Sequence, residues 1–180
     1  MSYTELFRLG HEPESIGRIQ NAWLSAIYVW DDIAEKYFGI KGFLRLDAPM
    51  RTRIWNANKH VPSMPEFEKI VLQSTMDNAI VFGVDIPRLA EAFEQYGAIH
   101  PNSSYAKQAA ILRSTEFLPD DAVAWNQTSV GKFWGLERTD LEDEDGEQEE
   151  SFYDIKAGTK HFDVFEELGL KMAPRTPRQH

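Results

Sequence analysis

Between Glu12 and Tyr37, apolar residues recur at spacings of three and four: Ile16, Ile19, Trp23, Ile27, Trp30, Ala34 and Tyr37. That is the period of one helix face. Pro13 suits a first helical turn and Gly39 a stop. The spacing therefore predicts a long helix over residues 12–37. Leu24, Tyr28 and Val29 fall off the stripe, which predicts a central helix covered on more than one side. Ahead of it, Tyr3–Leu9 reads as a short strand.

Further on, the pattern shortens. Gly42–Leu46 reads as a strand ended by Pro49. Ser63 and Glu66 have capping-box spacing, with Pro65 in the first turn of a helix carrying Phe67, Ile70 and Val71. Asp85 is a strong N-cap for a helix over Ile86–Tyr96, with Gly97 just past its end. Asn102 or Ser103 opens another helix that runs through Arg113. Ala122–Trp125 and Lys132–Leu136 read as strands around the turn-rich residues 126–131. Ser151–Ile155 reads as a third strand, and His161–Leu168 as a short helix stopped by Gly169. Helices first and strands afterwards predict an α+β fold. It is expected as a helix-rich single domain over residues 1–170, with a long central N-terminal helix and a small antiparallel sheet in the C-terminal third. Residues 171–180, with Lys171, Arg175 and Arg178, are expected as a basic flexible tail.

Charge changes the picture more than composition does. The 180 residues carry a formal charge of −10, and none is a cysteine. Disulfides, thiolate metal sites and cysteine nucleophiles are excluded. Residues 137–154 hold ten acids against Arg138 alone, a net −9, so the rest of the chain is close to neutral. Residues 41–60 run the other way: Lys41, Arg45, Arg51, Arg53 and Lys59 oppose only Asp47. The acidic block reads as a connecting loop over 137–154. A free solvated loop, pairing with the basic segment and docking on a basic partner are the three readings of it. Phe43 and Trp55 among the bases could serve a nucleic acid, but a −9 block disfavours a polyanion as direct ligand. Met1–Leu9 lacks the cationic start and apolar run of a signal peptide, and the longest strictly apolar stretch is Ala26–Trp30. No membrane span is expected, and the expected compartment is the cytoplasm.

Motifs of chemistry are sparse. There is no phosphate-cradling glycine loop, no nucleophile elbow and no pair of histidines at helical spacing among His11, His60, His100, His161 and His180. Asp31 and Glu35 lie one turn apart, with Asp32 between them, a spacing that suits oxygen ligation of a divalent cation or a solvated face. No catalytic residue, metal or cofactor is assigned from the sequence, and whether the chain is an enzyme stays open.

Three short stretches, Glu5-Leu6-Phe7-Arg8, Ser74-Thr75 and Glu142/Glu144, resemble the order of motifs in ADP-ribosyltransferases. That family carries an Arg or His on an early strand, a Ser-Thr-Ser strand later and a catalytic Glu near the end. Here Met76 stands in the third position of the serine motif. The resemblance implies an enzyme of nucleotide or protein modification, as the alternative reading. The leading expectation is a small acidic, non-enzymatic interaction protein. It would dock a basic protein surface through Glu142, Asp143, Glu144, Asp145, Glu147, Glu149 and Glu150. By analogy with other acidic binders, this is an inhibitor or immunity-type protein of the phage anti-defence kind.

Overall fold

The computed structural model describes residues 3–10, 12–20, 22–127, 136–142, 148–155 and 160–171. In chain order the elements are β1 (Tyr3–Leu9), β2 (Pro13–Gln20), α1 (Ala22–Phe38), a 3₁₀ turn (Phe43–Arg45), α2 (Ala48–Trp55), α3 (Ala57–His60), α4 (Glu66–Ser74) and β3 (Ala79–Phe82). They continue with a second 3₁₀ turn (Gly83–Asp85), α5 (Ile86–Ile99), α6 (Tyr105–Ser114), β4 (Ala122–Gln127), β5 (Leu136–Glu142), β6 (Gln148–Ile155), β7 (Phe162–Asp163) and α7 (Val164–Glu167).

Five strands form one mixed sheet in the order β2-β1-β4-β3-β7, in which only the β3–β7 pairing is parallel. Strands β5 and β6 form a separate two-stranded antiparallel sheet. The chain is thus α+β, but the arrangement expected from the sequence is corrected in two respects. The N-terminus is rich in strands and does not begin with a long helix. The main sheet is N-terminal and central, with Ala122–Trp125 inside it between β1 and β3, not confined to the C-terminal third.

The expected helix over 12–37 splits because Pro13–Gln20 pairs antiparallel with β1. The decisive contact is polar and long-range. Glu5 on β1 is 1% exposed, and its carboxylate accepts from Ser15 Oγ at 2.6 Å and from Arg18 Nε at 3.0 Å. Gly17, a poor helix residue, leaves room for Ile111 of α6, whose Cδ1 would lie 2.7 Å from an added Cβ. The three-and-four spacing coincides with helix only from Trp23 onward, within α1. Gly42–Leu46 likewise is no strand: Gly42 has φ +80, and Phe43 turns inward to the core, 1% exposed.

The core lies between the sheet and α1, α4, α5 and α6. Leu6, Val81 and Val123 of the sheet meet Ile33, Leu72, Leu89, Phe93 and Tyr96, all fully buried. The opposite face carries a smaller cluster, Phe7, Leu9, Ala122 and Ala124. Central strands buried on both faces explain the unbroken apolar runs at Ala79–Phe82 and Ala122–Ala124. The helix starts differ from expectation in detail. Pro65, not Ser63, sits at the N-cap of α4, and Asp85 at the N-cap of α5 makes no capping hydrogen bond. Gly97 falls inside α5, where α6 crosses it. An added Cβ there would lie 2.7 Å from the Ala106 nitrogen.

Just before β7, burial holds the His161 imidazole below its ordinary value of 6.5. The unfolded chain therefore takes up this proton first as pH falls. The residue's contribution to stability is present above the unfolded value and is lost as pH falls through the lowered folded value. Urea midpoints are expected to decrease from roughly pH 7 to roughly pH 5. His161→Gln is expected to flatten part of that decrease, and an unchanged slope in the variant would count against the assignment.

Candidate binding sites

Of the seven acids singled out from the sequence, three lie on β5 and β6. Glu142 ends β5, and Glu149 and Glu150 lie on β6, with Leu141 paired to Glu150 and Glu142 paired to Gln148. Asp143, Glu144, Asp145 and Glu147 fall outside the described residues. The stretch expected as a loop therefore carries two paired strands. The strand expected over 132–136 falls outside the described residues except for Leu136, which opens β5.

The basic segment makes its own contacts. Lys41 Nζ lies 3.1 Å from Glu35 and Lys59 Nζ 3.9 Å from Glu167. Arg51 donates to the Leu44 carbonyl oxygen and lies over the Phe43 ring, while Arg53 lies over Phe38. Asp47 caps α2 by accepting from the Met50 N–H at 2.9 Å. Phe43 and Trp55 face inward, packed on each other and on Trp30.

Asp31, Asp32 and Glu35 go three separate ways. Asp31 accepts from the Phe43 N–H at 2.6 Å, and Glu35 pairs with Lys41. Asp32 accepts from the buried Tyr96 hydroxyl at 3.0 Å and lies 3.4 Å from His100 Nε2. The other ring nitrogen, Nδ1, lies 3.1 Å from the Tyr28 hydroxyl. Burial first, and then the Asp32 carboxylate, push the Tyr96 phenol far above its ordinary range, so it stays a donor. Tyr28, Asp32, Tyr96 and His100 together fasten α1 to the end of α5. Among the described residues, no group of three or more His, Asp or Glu is placed to hold a metal ion.

Of the residues behind the transferase resemblance, Glu144 falls outside the described residues, and Arg8 and Ser74-Thr75 make separate contacts. Arg8 pairs with Glu14 and donates to the Glu116 carbonyl oxygen at 2.8 Å. The hydroxyls of Ser74 and Thr75 return to the Val71 and Leu72 carbonyl oxygens of their own helix, at 2.7 and 2.6 Å. Thr75 shares a cleft with Thr4, which lies on β1 four residues from Arg8, roughly 13 Å along the strand.

That cleft encloses about 40 Å³. Thr4 forms its floor, and Ser25 and Ala26 of α1 form one wall. The Ser74–Asn78 turn forms a second wall, and Tyr105 and Gln108 of α6 with Trp125 form the third. A chain of hydrogen bonds holds the walls in place. Trp125 Nε1 donates to Gln108 Oε1 at 3.0 Å and Gln108 Nε2 donates to Ser104 Oγ at 3.1 Å. Ser104 Oγ lies 2.6 Å from Ser25 Oγ. On the far side, Trp30 Nε1 donates to Thr75 Oγ1 at 2.9 Å. Asn78 turns the chain into β3 in the left-handed region, at φ 62, a conformation Asn tolerates better than most residues. In the sequence Ser74-Thr75 enters only through the transferase resemblance, and the other walls carry no local signal.

Comparison with protein-family models, with curated proteins and with solved structures finds no match for the chain. Among the described residues, no helix is long and apolar enough to cross a membrane.

Proposed function

We propose that this chain is a non-enzymatic interaction protein of the inhibitor or immunity type, and that it docks the basic surface of a partner protein in the cytoplasm. One observation carries the reading. The described parts of the −9 block lie on β5 and β6, which form a sheet of their own, while Lys41 and Lys59 of the basic segment pair with Glu35 and Glu167 in the body of the fold. The register also pairs Glu137 with Asp154, two acidic residues at opposed positions, a like-charge arrangement that a cationic partner would relieve. The interaction is carried by Glu142, Asp143, Glu144, Asp145, Glu147, Glu149 and Glu150. Concentrated charge of one sign speeds encounter with the opposite sign and selects partners.

Changing those seven residues to Gln or Asn is expected to lower recovery of basic partners in a low-salt pull-down by at least tenfold, roughly 1.4 kcal/mol. Raising the salt is expected to do the same to the unaltered chain. Equal recovery of partners by both chains at low salt would sink the proposal.

A further inference from the structure

Among the described residues, two of the exposed large apolar side chains come from a single corner of the fold. Val84 is 41% exposed and Leu118 64%. Their backbones meet where the Gly83 N–H donates to the Asp121 carbonyl oxygen and the Leu118 carbonyl oxygen closes on Gly83. Beside them a groove of about 200 Å³ opens between the start of α5 and the end of α6. Ile86 and Pro87 line one side, and Leu112, Thr115 and Phe117 the other. Leu118 stands on a braced turn. Arg8 donates to the Glu116 carbonyl oxygen, the Leu118 N–H to Asp121 Oδ2, and the Asp121 N–H back to the Leu118 carbonyl oxygen. A lone exposed leucine needs no explanation. A leucine held on a fixed backbone, beside a groove that admits a side chain, is a docking feature, because binding has little order left to impose.

The free charge at this corner has one sign. Glu116 and Asp120 bracket Phe117-Leu118-Pro119, are exposed, and have no partner for their carboxylates among the described residues. The two bases at hand are already answered: Arg113, on the groove, by both oxygens of Glu94 at 2.9 and 3.0 Å, and Arg8 by Glu14. A second copy of this chain would bring one acidic rim against another, and a nucleic acid or an anionic lipid surface would be repelled as well. A cationic surface is attracted. We infer that this corner docks a partner protein that places a large aliphatic side chain in the groove and surrounds it with lysine or arginine. An apolar centre within a charged rim is the anatomy of a protein interface. The inference shares a basic partner with the proposed function, but it stands on these residues and not on the acidic block.

The probe is a fluorescein-labelled amphipathic peptide of leucine and lysine, titrated with the full chain at low salt and followed by anisotropy. Peptides with alanine in place of leucine, or glutamate in place of lysine, are the controls. The leucine–lysine peptide is expected to bind saturably and at least about tenfold tighter than either control. Leu118→Asp and Val84→Asp are each expected to weaken it about tenfold. Both positions are exposed, so urea midpoints should stay within the scatter of surface substitutions. An added acid would strengthen a purely electrostatic contact with lysine, so loss on Leu118→Asp reports the apolar contact itself. Glu116→Lys with Asp120→Lys is expected to weaken binding as well, and to reduce its dependence on salt. A leucine–lysine peptide bound no tighter than its alanine counterpart would overturn the inference. So would a dimer in sedimentation that Leu118→Asp dissolves, which assigns the corner to a second copy. Peptide binding that survives Leu118→Asp but vanishes when the seven acids of the proposed function are changed to amides would overturn this inference and leave that function standing. Loss on Leu118→Asp, with partner recovery unaltered by the amide changes, would do the reverse.

Discussion

Gly83→Ala is expected to destabilise the protein by at least about 3 kcal/mol, at or above the upper end of ordinary overpacking. An alanine Cβ at this position would lie 1.9 Å from the Leu118 carbonyl oxygen and 2.8 Å from the carbon that carries it. Both obstacles are backbone, and both sides are tied down. The Gly83 N–H donates to the Asp121 carbonyl oxygen at 2.7 Å. The Asp121 N–H donates back to the Leu118 carbonyl oxygen at 3.0 Å, and the Leu118 N–H donates to Asp121 Oδ2 at 2.9 Å. The turn cannot retreat without losing these bonds, and β3 cannot retreat without leaving β4. Gly10→Ala is the comparison: its Cβ would meet Asp121 Oδ1 at 2.7 Å, a side-chain atom whose retreat costs at most the one bond from the Leu118 N–H. Urea denaturation should separate the two variants clearly. A Gly83→Ala cost below about 1 kcal/mol would show that the close approach is not a constraint.

Local patterns read the helices better than the sheet. Helix α5 follows from Leu89, Ala92, Phe93 and Tyr96 on one face, because its apolar period and its burial coincide. Strand β1 is legible for the same reason. Strand β2 is not, because Ile16 and Ile19 satisfy a helical period, and what makes the segment a strand is Glu5, ten to thirteen residues away. That carboxylate needs Ser15 and Arg18 beside it, a demand no local window contains. Strand β4 was recognised but placed in the wrong sheet, since neither of its partners, β1 and β3, precedes it directly. The acidic block stands out in the sequence as charge; its pairing as β5–β6, in a register that sets Leu136 opposite Ile155, does not. The cleft was the least legible feature. Thr4, Ser25, Thr75, Gln108 and Trp125 come from five separate segments, and none of them is unusual until the fold buries it.

The same cleft depends on how α1 sits against α4, and that seating rests on one buried carboxylate. Glu68 of α4 is 1% exposed and is met by Lys36 and by the Tyr37 hydroxyl, both from the last turn of α1. Burial, and then the bond to Glu68, push the Tyr37 phenol well above its ordinary range, so it remains a donor. The order in which the partners are removed decides the cost. Lys36→Met with Tyr37→Phe leaves Glu68 in place with its charge unanswered, and is expected to cost about 3–5 kcal/mol. Glu68→Leu alone leaves a lysine side chain that is 48% exposed and free to hydrate. It is expected to cost no more than about 1–2 kcal/mol. Adding Glu68→Leu to the double variant is therefore expected to recover most of the loss, a coupling of about 2–3 kcal/mol across the cycle. If the triple variant is instead as unstable as the double, the contact acts through packing and not through the charge.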